Sequence, residues 1–574
     1  MPRDYDTPDG PKVTIGMSRH RAKSAATKIG SLLINPGGPG GTGRDFMFSV
    51  VQEAPADFAE VISRFDIIGF DPRGIGASGQ IVCLADKELD KIYLLDITPE
   101  TPAERAESDK LDTDFDNGCL ASVGRDGLLA TSTENVARDM NEIRSAVGDK
   151  GLSYFGVSYG TFLGATFATL FPNDVRALVL DGAYDPTGQD LATQEEISQS
   201  GREDAFHNWV TWCESSALCA FGEGGNVDAR WLALRERLDN KSIGGKDGRA
   251  ANQGVLLAGT GISLYDRKFG WIALGAALKN AEAGNGELLL RLADAAYGRG
   301  KDGKYDGRIQ AGGAIRCSSG ITPPPASDPA SAKKRIEAAS SHFAIGLTEK
   351  DLTDSGCGKL PTGPQAKPFA YSGSAPVLVV GGTNDPATPF VWATKMAGSL
   401  GPSAQLLTFE GEGHGALLES GCVSKTASAL LVELTTPDAP VTCRSAGAER
   451  AVLPTWYSEF PKIPGAVDSV DVNDLIAALG FDTSKAAVIA KLSSRGNAIE
   501  LLLSRFEAKG WSLAKDGSGV LEKTMGGIPR RVILTSVDLA QLAELEPMLE
   551  PVAKRLAKSG PAIVLIFQES DQPK

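Results

Sequence analysis

Three short stretches carry residue types that could do nucleophilic chemistry. The first is Gly156-Val157-Ser158-Tyr159-Gly160, a GxSxG pattern with an apolar run before it (LSYFGV) and a helix-type run after it (TFLGATFATLF). On a sharp strand-to-helix turn, such a serine is lifted clear of the sheet. Glycines two residues to either side let strand and helix approach without a clash. A structural turn is the bland alternative. A serine hydroxyl is a poor nucleophile without a base, and the chain has four histidines: His20, His207, His342 and His414. His414 lies in GEGHGALLES, directly after the strand-type run AQLLTFE, where a base is expected. His20, in SRHRA, reads as surface or structural. His207 and His342 fall in a helical region and read as packed or solvated.

The base needs an acid to hold its tautomer and stabilise the imidazolium. Asp385 follows the apolar strand of VLVVGGTNDPATP and precedes His414 by one helix and one strand. Asp181, in LVLDGAYDP, is the rival, although an aspartate after a strand is often only a turn residue. Acyl transfer also needs N–H donors for the developing oxyanion. The expected donors are the Tyr159 N–H and, from the glycine-rich LLINPGGPGGTG, Gly37 and Gly38. That loop lacks the GK[ST] of a phosphate-binding P-loop. Arg73, in FDPRGIGAS, reads as structural.

These pieces must be positioned by an α/β scaffold. The runs KVTIGMSRH, GSLLIN, FDIIGFD, LSYFGV and RALVLDG read as strands, several apolar throughout, as in a parallel sheet covered on both faces. The stretch after it is rich in helices and in Gly/Lys/Asp breaks, and strands return with APVLVVGG and AQLLTFEG. The expected division is a first core part at 1–188, a helical cap at 189–370, a second core part at 371–449, and a small α+β domain at 450–574. In that last region VNDLIAALG and the runs 484–510 and 538–557 read as helices, and VILTSV and AIVLIF as strands.

The chain has 574 residues and a formal charge of −14, which argues against nucleic acid or an anionic membrane as the main partner. No apolar run approaches the ~20 residues that span a bilayer. Eight cysteines occur without a pair of CxxC motifs, so a cysteine zinc site is not expected. Buried thiols and disulfides both remain open. The N-terminal MPRDYDTPDG contains no signal-peptide core, which taken literally means cytoplasm. A leader removed from the mature chain would reconcile that with disulfides.

With DYDTPDG, INPGGPGGTG, FDIIGFDPRGIGAS, the GVSYG segment through DGAYDP, GGTNDPATP and GEGHG followed by Cys422, residues 1–445 resemble the secreted tripeptidyl-aminopeptidase-like serine hydrolases. These are a prolyl-aminopeptidase-related branch of the α/β-hydrolases. The resemblance implies an α/β-hydrolase fold with a helical cap, and Ser158, Asp385 and His414 as triad. It implies no metal or organic cofactor, and short peptide substrates with a free N-terminus. A hydrolase of small esters is the alternative, and a non-catalytic binding module on the same scaffold is a third reading. Export and disulfides are also implied. Pairing by sequence proximity gives 83–119, 213–219, 317–357 and 422–443, one of roughly a hundred connectivities. Residues from about 450 onward have no counterpart in the resemblance, and could bind a cell envelope or a partner. Relatives often carry an acid soon after the cysteine equivalent to Cys317, where this chain has AIRCSSG. The carboxylate expected to hold a substrate ammonium, for which Glu214 is one of many in the cap, is not identified by the pattern.

Overall fold

The computed structural model describes residues 1–445, apart from 100, 217, 355, 438 and 439, together with six strands beyond residue 445. Eight strands form the first sheet: β1 (Met17–His20), β2 (Gly30–Asn35), β3 (Phe65–Phe70), β4 (Leu152–Val157), β5 (Val175–Asp181), β6 (Val377–Asn384), β7 (Ala404–Glu412) and β8 (Val441–Arg444). Their spatial order is β1-β3-β2-β4-β5-β6-β7-β8. Only β1 runs antiparallel to its neighbour. Every residue of β3, and nearly all of β2, β4 and β5, is buried. This is why these runs are apolar without alternation: helices cover both faces, giving one apolar layer around Leu33, Tyr154 and Leu163 and another around Ile34, Phe155 and Val179.

The expected strand KVTIGMSRH is shorter than its apolar pattern. Only Met17–His20 pairs with β3, because Val13 instead exchanges hydrogen bonds with Met1 at the chain start. Arg73 fastens that same segment. Fully buried, it grips Asp139 at 2.6 and 2.7 Å and donates to the carbonyls of Pro2 and Arg3.

Between β5 and β6 the chain builds helices from Leu191–Ser215 to Pro329–Ala339. Much of this insertion packs around its own aromatic centre, with Phe206, Trp209, Trp231 and Trp271 inaccessible or nearly so. Four disulfides join Cys83–Cys119, Cys213–Cys219, Cys317–Cys357 and Cys422–Cys443, the pairs nearest in sequence. Such a set fits an oxidising compartment. Among the described residues no helix is long and apolar enough to cross a membrane.

Beyond residue 445 the described strands form a second, antiparallel sheet. VILTSV and AIVLIF lie in its strands Ile528–Asp538 and Ala562–Glu569. The helix expected over 484–510 is interrupted at its start, since Ala487–Lys491 pairs with Ala562–Glu569 as a strand. Its run of Ala, Val and Ile suits either structure, and the neighbouring strand decides. VNDLIAALG, the rest of 484–510 and the run after Asp538 lie outside the described residues.

Candidate active site

Ser158 sits between the end of β4 and the helix Tyr159–Leu170 with φ 58° and ψ −126°, a conformation rare for a residue with a side chain. The surroundings enforce it. The Ser158 N–H donates to the Asp181 carbonyl at 2.9 Å, and the Ser158 carbonyl accepts from both the N–H and the hydroxyl of Thr161. The flanking glycines are required by contact: a Cβ on Gly156 would stand 2.5 Å from the Gly160 carbonyl oxygen.

The loop after β2 abuts this turn. A Cβ on Gly37 would lie 2.4 Å from the Val157 oxygen and 2.9 Å from both Ser158 Cβ and Tyr159 N. Gly37, Gly38 and Gly40 all take positive φ. The Gly37 N–H, however, is committed to Asn35 Oδ1 at 2.9 Å, so it is occupied inside the loop rather than aimed outward. Asn35, the last residue of β2, carries no motif that marks it in the sequence. Tyr159 N–H opens a helix, where the first amides have no intrahelical acceptor.

His414 follows β7, and its Nδ1 lies 2.9 Å from each carboxylate oxygen of Asp385, on the loop after β6. Both side chains are nearly sealed, at 9% and 1% exposure. Asp385 also accepts from the backbone of Ala387 and Thr388 and from the Thr388 hydroxyl. Burial pulls the His414 pKa down, but the charge and hydrogen bond of Asp385, with a further contribution from Asp181, outweigh it and hold the imidazole above its usual value. Asp181 takes a different position. Its carboxylate accepts the N–H groups of Ala416 and Leu417, just past His414, and burial pushes its pKa up to about 6 against those bonds.

The structure thus brings Asp385 to His414 and places Gly37 and Tyr159 against Ser158. The loop of His414 returns to the same edge: a Cβ on Gly415 would meet Val157 Cγ1 at 3.4 Å. Thr388, which touches both Asp385 and His414, and Tyr265, whose ring packs on His414 at 4.9 Å and whose carbonyl takes the His414 N–H, carried no signal in the sequence. The insertion between β5 and β6 also reaches the glycine loop, where a Cβ on Gly40 would collide with the Arg308 carbonyl. Glu214 is engaged elsewhere, accepting from Val227 N–H. Glu412 joins the sheet to the insertion by accepting from Asn384 and Asn208, and burial raises its pKa.

A family signature described as alpha/beta hydrolase fold matches residues 30–262, and one described as TAP-like protein matches 346–443. The chain is 33% identical over 462 residues to Serine protease Hip1 of Mycobacterium tuberculosis, covering 77% of this chain and 86% of that protein. It is 32% identical over 457 residues to Carboxylesterase B of the same organism, covering 77% and 85%. A 35% match over 254 residues to Tripeptidyl aminopeptidase of Streptomyces lividans covers 44% and 47%. The chain belongs to the tripeptidyl-aminopeptidase-like serine hydrolases of the α/β-hydrolase fold.

Proposed function

We propose that this protein is a serine peptidase that releases short peptides from the N-terminus of its substrates, with Ser158, His414 and Asp385 as its triad. The observation that carries the chemistry is the double 2.9 Å contact of Asp385 with His414 Nδ1, on the sheet edge where Ser158 is held at φ 58°. His414 Nε2 takes the proton as Ser158 Oγ attacks the substrate carbonyl. Asp385 steadies the imidazolium. The oxyanion is held by the N–H groups of Tyr159 and Gly38, since that of Gly37 is already bonded. His414 then protonates the leaving amine, and an acyl-enzyme remains until water, deprotonated by the same imidazole, displaces it.

The peptide substrate rests on the names of the Hip1 and tripeptidyl aminopeptidase relatives. The carboxylesterase relative keeps small esters as the second reading. We take 189–370 as the cap over this site and 450–574 as a separate unit for a partner. The four disulfides support export to the cell envelope or beyond. A chain lacking 450–574 that localised and worked like the full one would remove the partner role.

The test is labelling with a fluorophosphonate probe and peptide mapping, with Ser158→Ala as control, followed by tripeptide anilides against short acyl esters. Label on Ser158 and faster turnover of anilides with a free amine support the proposal. An unlabelled Ser158 in folded protein would sink the triad; preference for esters would sink the peptidase.

A further inference from the structure

Away from Ser158, three side chains with metal-binding atoms converge in the insertion. Glu203 and His207 stand one turn apart on the helix Leu191–Ser215, so they share a face. His342 arrives from the segment after the helix Pro329–Ala339. Its Nδ1 lies 2.5 Å from Glu203 Oε1, and His207 Nε2 lies 3.8 Å from the same oxygen. One ligand atom from each residue falls within 4.8 Å of the others. Glu203 and His342 are nearly buried, whereas the His207 side chain is 55% exposed, so the cluster opens to solvent on one side.

We propose that Glu203, His207 and His342 bind a divalent cation of the Zn²⁺ class, at a site separate from Ser158, Asp385 and His414. Two imidazoles and one carboxylate are a borderline donor set. They suit Zn²⁺, whereas Ca²⁺ and Mg²⁺ call for oxygen shells. The open side next to His207 leaves room for water as fourth ligand. Ligands about 2.0–2.1 Å from zinc stand roughly 3.3 Å apart in a tetrahedron. The Glu203–His342 contact would open by less than an ångström, and His207 would close on Glu203 by about half an ångström and on His342 by at most about 1.5 Å.

The surroundings fit a ligand set held in place. Ser340 Oγ, Ser341 Oγ and His342 N–H all donate to Glu203 and fix its carboxylate. Arg235 holds the carbonyls of Ser341 and His342. The second nitrogen of His342 lies 2.8 Å from Asp228 Oδ1, off the line of a hydrogen bond, and neither atom has a bonded partner. A carboxylate behind a ligating imidazole is the usual arrangement at metal sites. Phe206 and Trp231 wall the imidazole at 4.6 and 5.3 Å, which keeps water from that side. The same helix presses against the loop of the candidate acid, where a Cβ on Gly201 would meet Pro389 Cγ at 2.5 Å and the Asp385 carbonyl oxygen at 3.3 Å. A bound cation would therefore pin the cap helix beside that loop.

The rival is metal-free: His342 bridging Glu203 and Asp228 by direct contact alone. Full-length protein with its disulfides intact, stripped by a chelator, is titrated with Zn²⁺ against a chromophoric competitor, and its melting temperature is followed. The expected result is one equivalent bound and a higher melting temperature with Zn²⁺. His207→Ala, a surface change that leaves the fold intact by circular dichroism, weakens binding by about tenfold or more and abolishes the shift. Asp228→Asn weakens it by about tenfold. If the wild type binds no Zn²⁺, or His207→Ala binds as tightly as the wild type, the site is the ion pair alone and the proposal is wrong. Equal binding also covers capture of zinc by His414.

Discussion

Asp181 accepts the N–H of Ala416 with both carboxylate oxygens, at 3.0 and 2.9 Å, two residues past His414. Its charge also helps raise the His414 pKa. A residue that does not touch the imidazole therefore anchors the loop that carries it and adds, after Asp385, to its basicity. Asp181→Asn should move the acid limb of kcat/KM to lower pH, because one of the charges favouring imidazolium is gone. A pH–rate profile with the limb unmoved would leave Asp181 a purely structural anchor.

The same residue makes stability depend on pH. Its folded pKa of about 6 exceeds the ordinary aspartate value, so the native state binds this proton more tightly than the unfolded chain. That contribution is complete below about pH 3.9 and is lost as pH rises through about 6. Asp181→Asn lacks it. Urea unfolding should show the variant gaining on the wild type between about pH 4 and 7.

Asp385→Asn keeps the size of the side chain but removes the charge that faces His414 Nδ1. Turnover should fall by roughly 10⁴-fold with the fold intact, as when a triad acid no longer holds the productive tautomer. Retention of more than a tenth of the activity would exclude Asp385 from the role.

Gly37 takes φ +89° with the Val157 oxygen where a side chain would go. Gly37→Ala should lower stability by about 1–3 kcal/mol and displace the glycine loop beside Ser158, so fluorophosphonate labelling slows sharply even in the folded fraction. Labelling at the wild-type rate would show that the loop is not part of the site.

Cys317–Cys357 closes a loop with a sequence separation of 40. It anchors the helix Arg308–Ser318, whose start packs on the glycine loop. Replacing both cysteines by serine should cost about 4 kcal/mol in unfolding measurements. Activity should fall at temperatures where the wild type is still intact.

Much of the geometry of the candidate site was legible in the sequence because its signals are local. GVSYG between an apolar run and a helical run marks the Ser158 turn, as the glycines are demanded by contacts within a few residues. Unbroken apolar strands reported a sheet covered on both faces, and cysteines near in sequence are the ones that pair. Strand ends were less legible: apolar Val13 pairs with Met1, a choice set by the returning chain start.

Tertiary structure alone decided between chemically equal candidates. Asp181 and Asp385 both follow buried strands, and only the packing of the His414 loop gives one the imidazole and the other the amides beyond it. Gly37 and Gly38 are identical as letters, but Asn35 claims the amide of the first. His342 meets Glu203 across 139 residues of chain. Periodicity and motif spacing report what a residue's near neighbours require. Which distant carboxylate, amide or imidazole comes within 3 Å of it depends on how the elements pack, and that belongs to the whole fold.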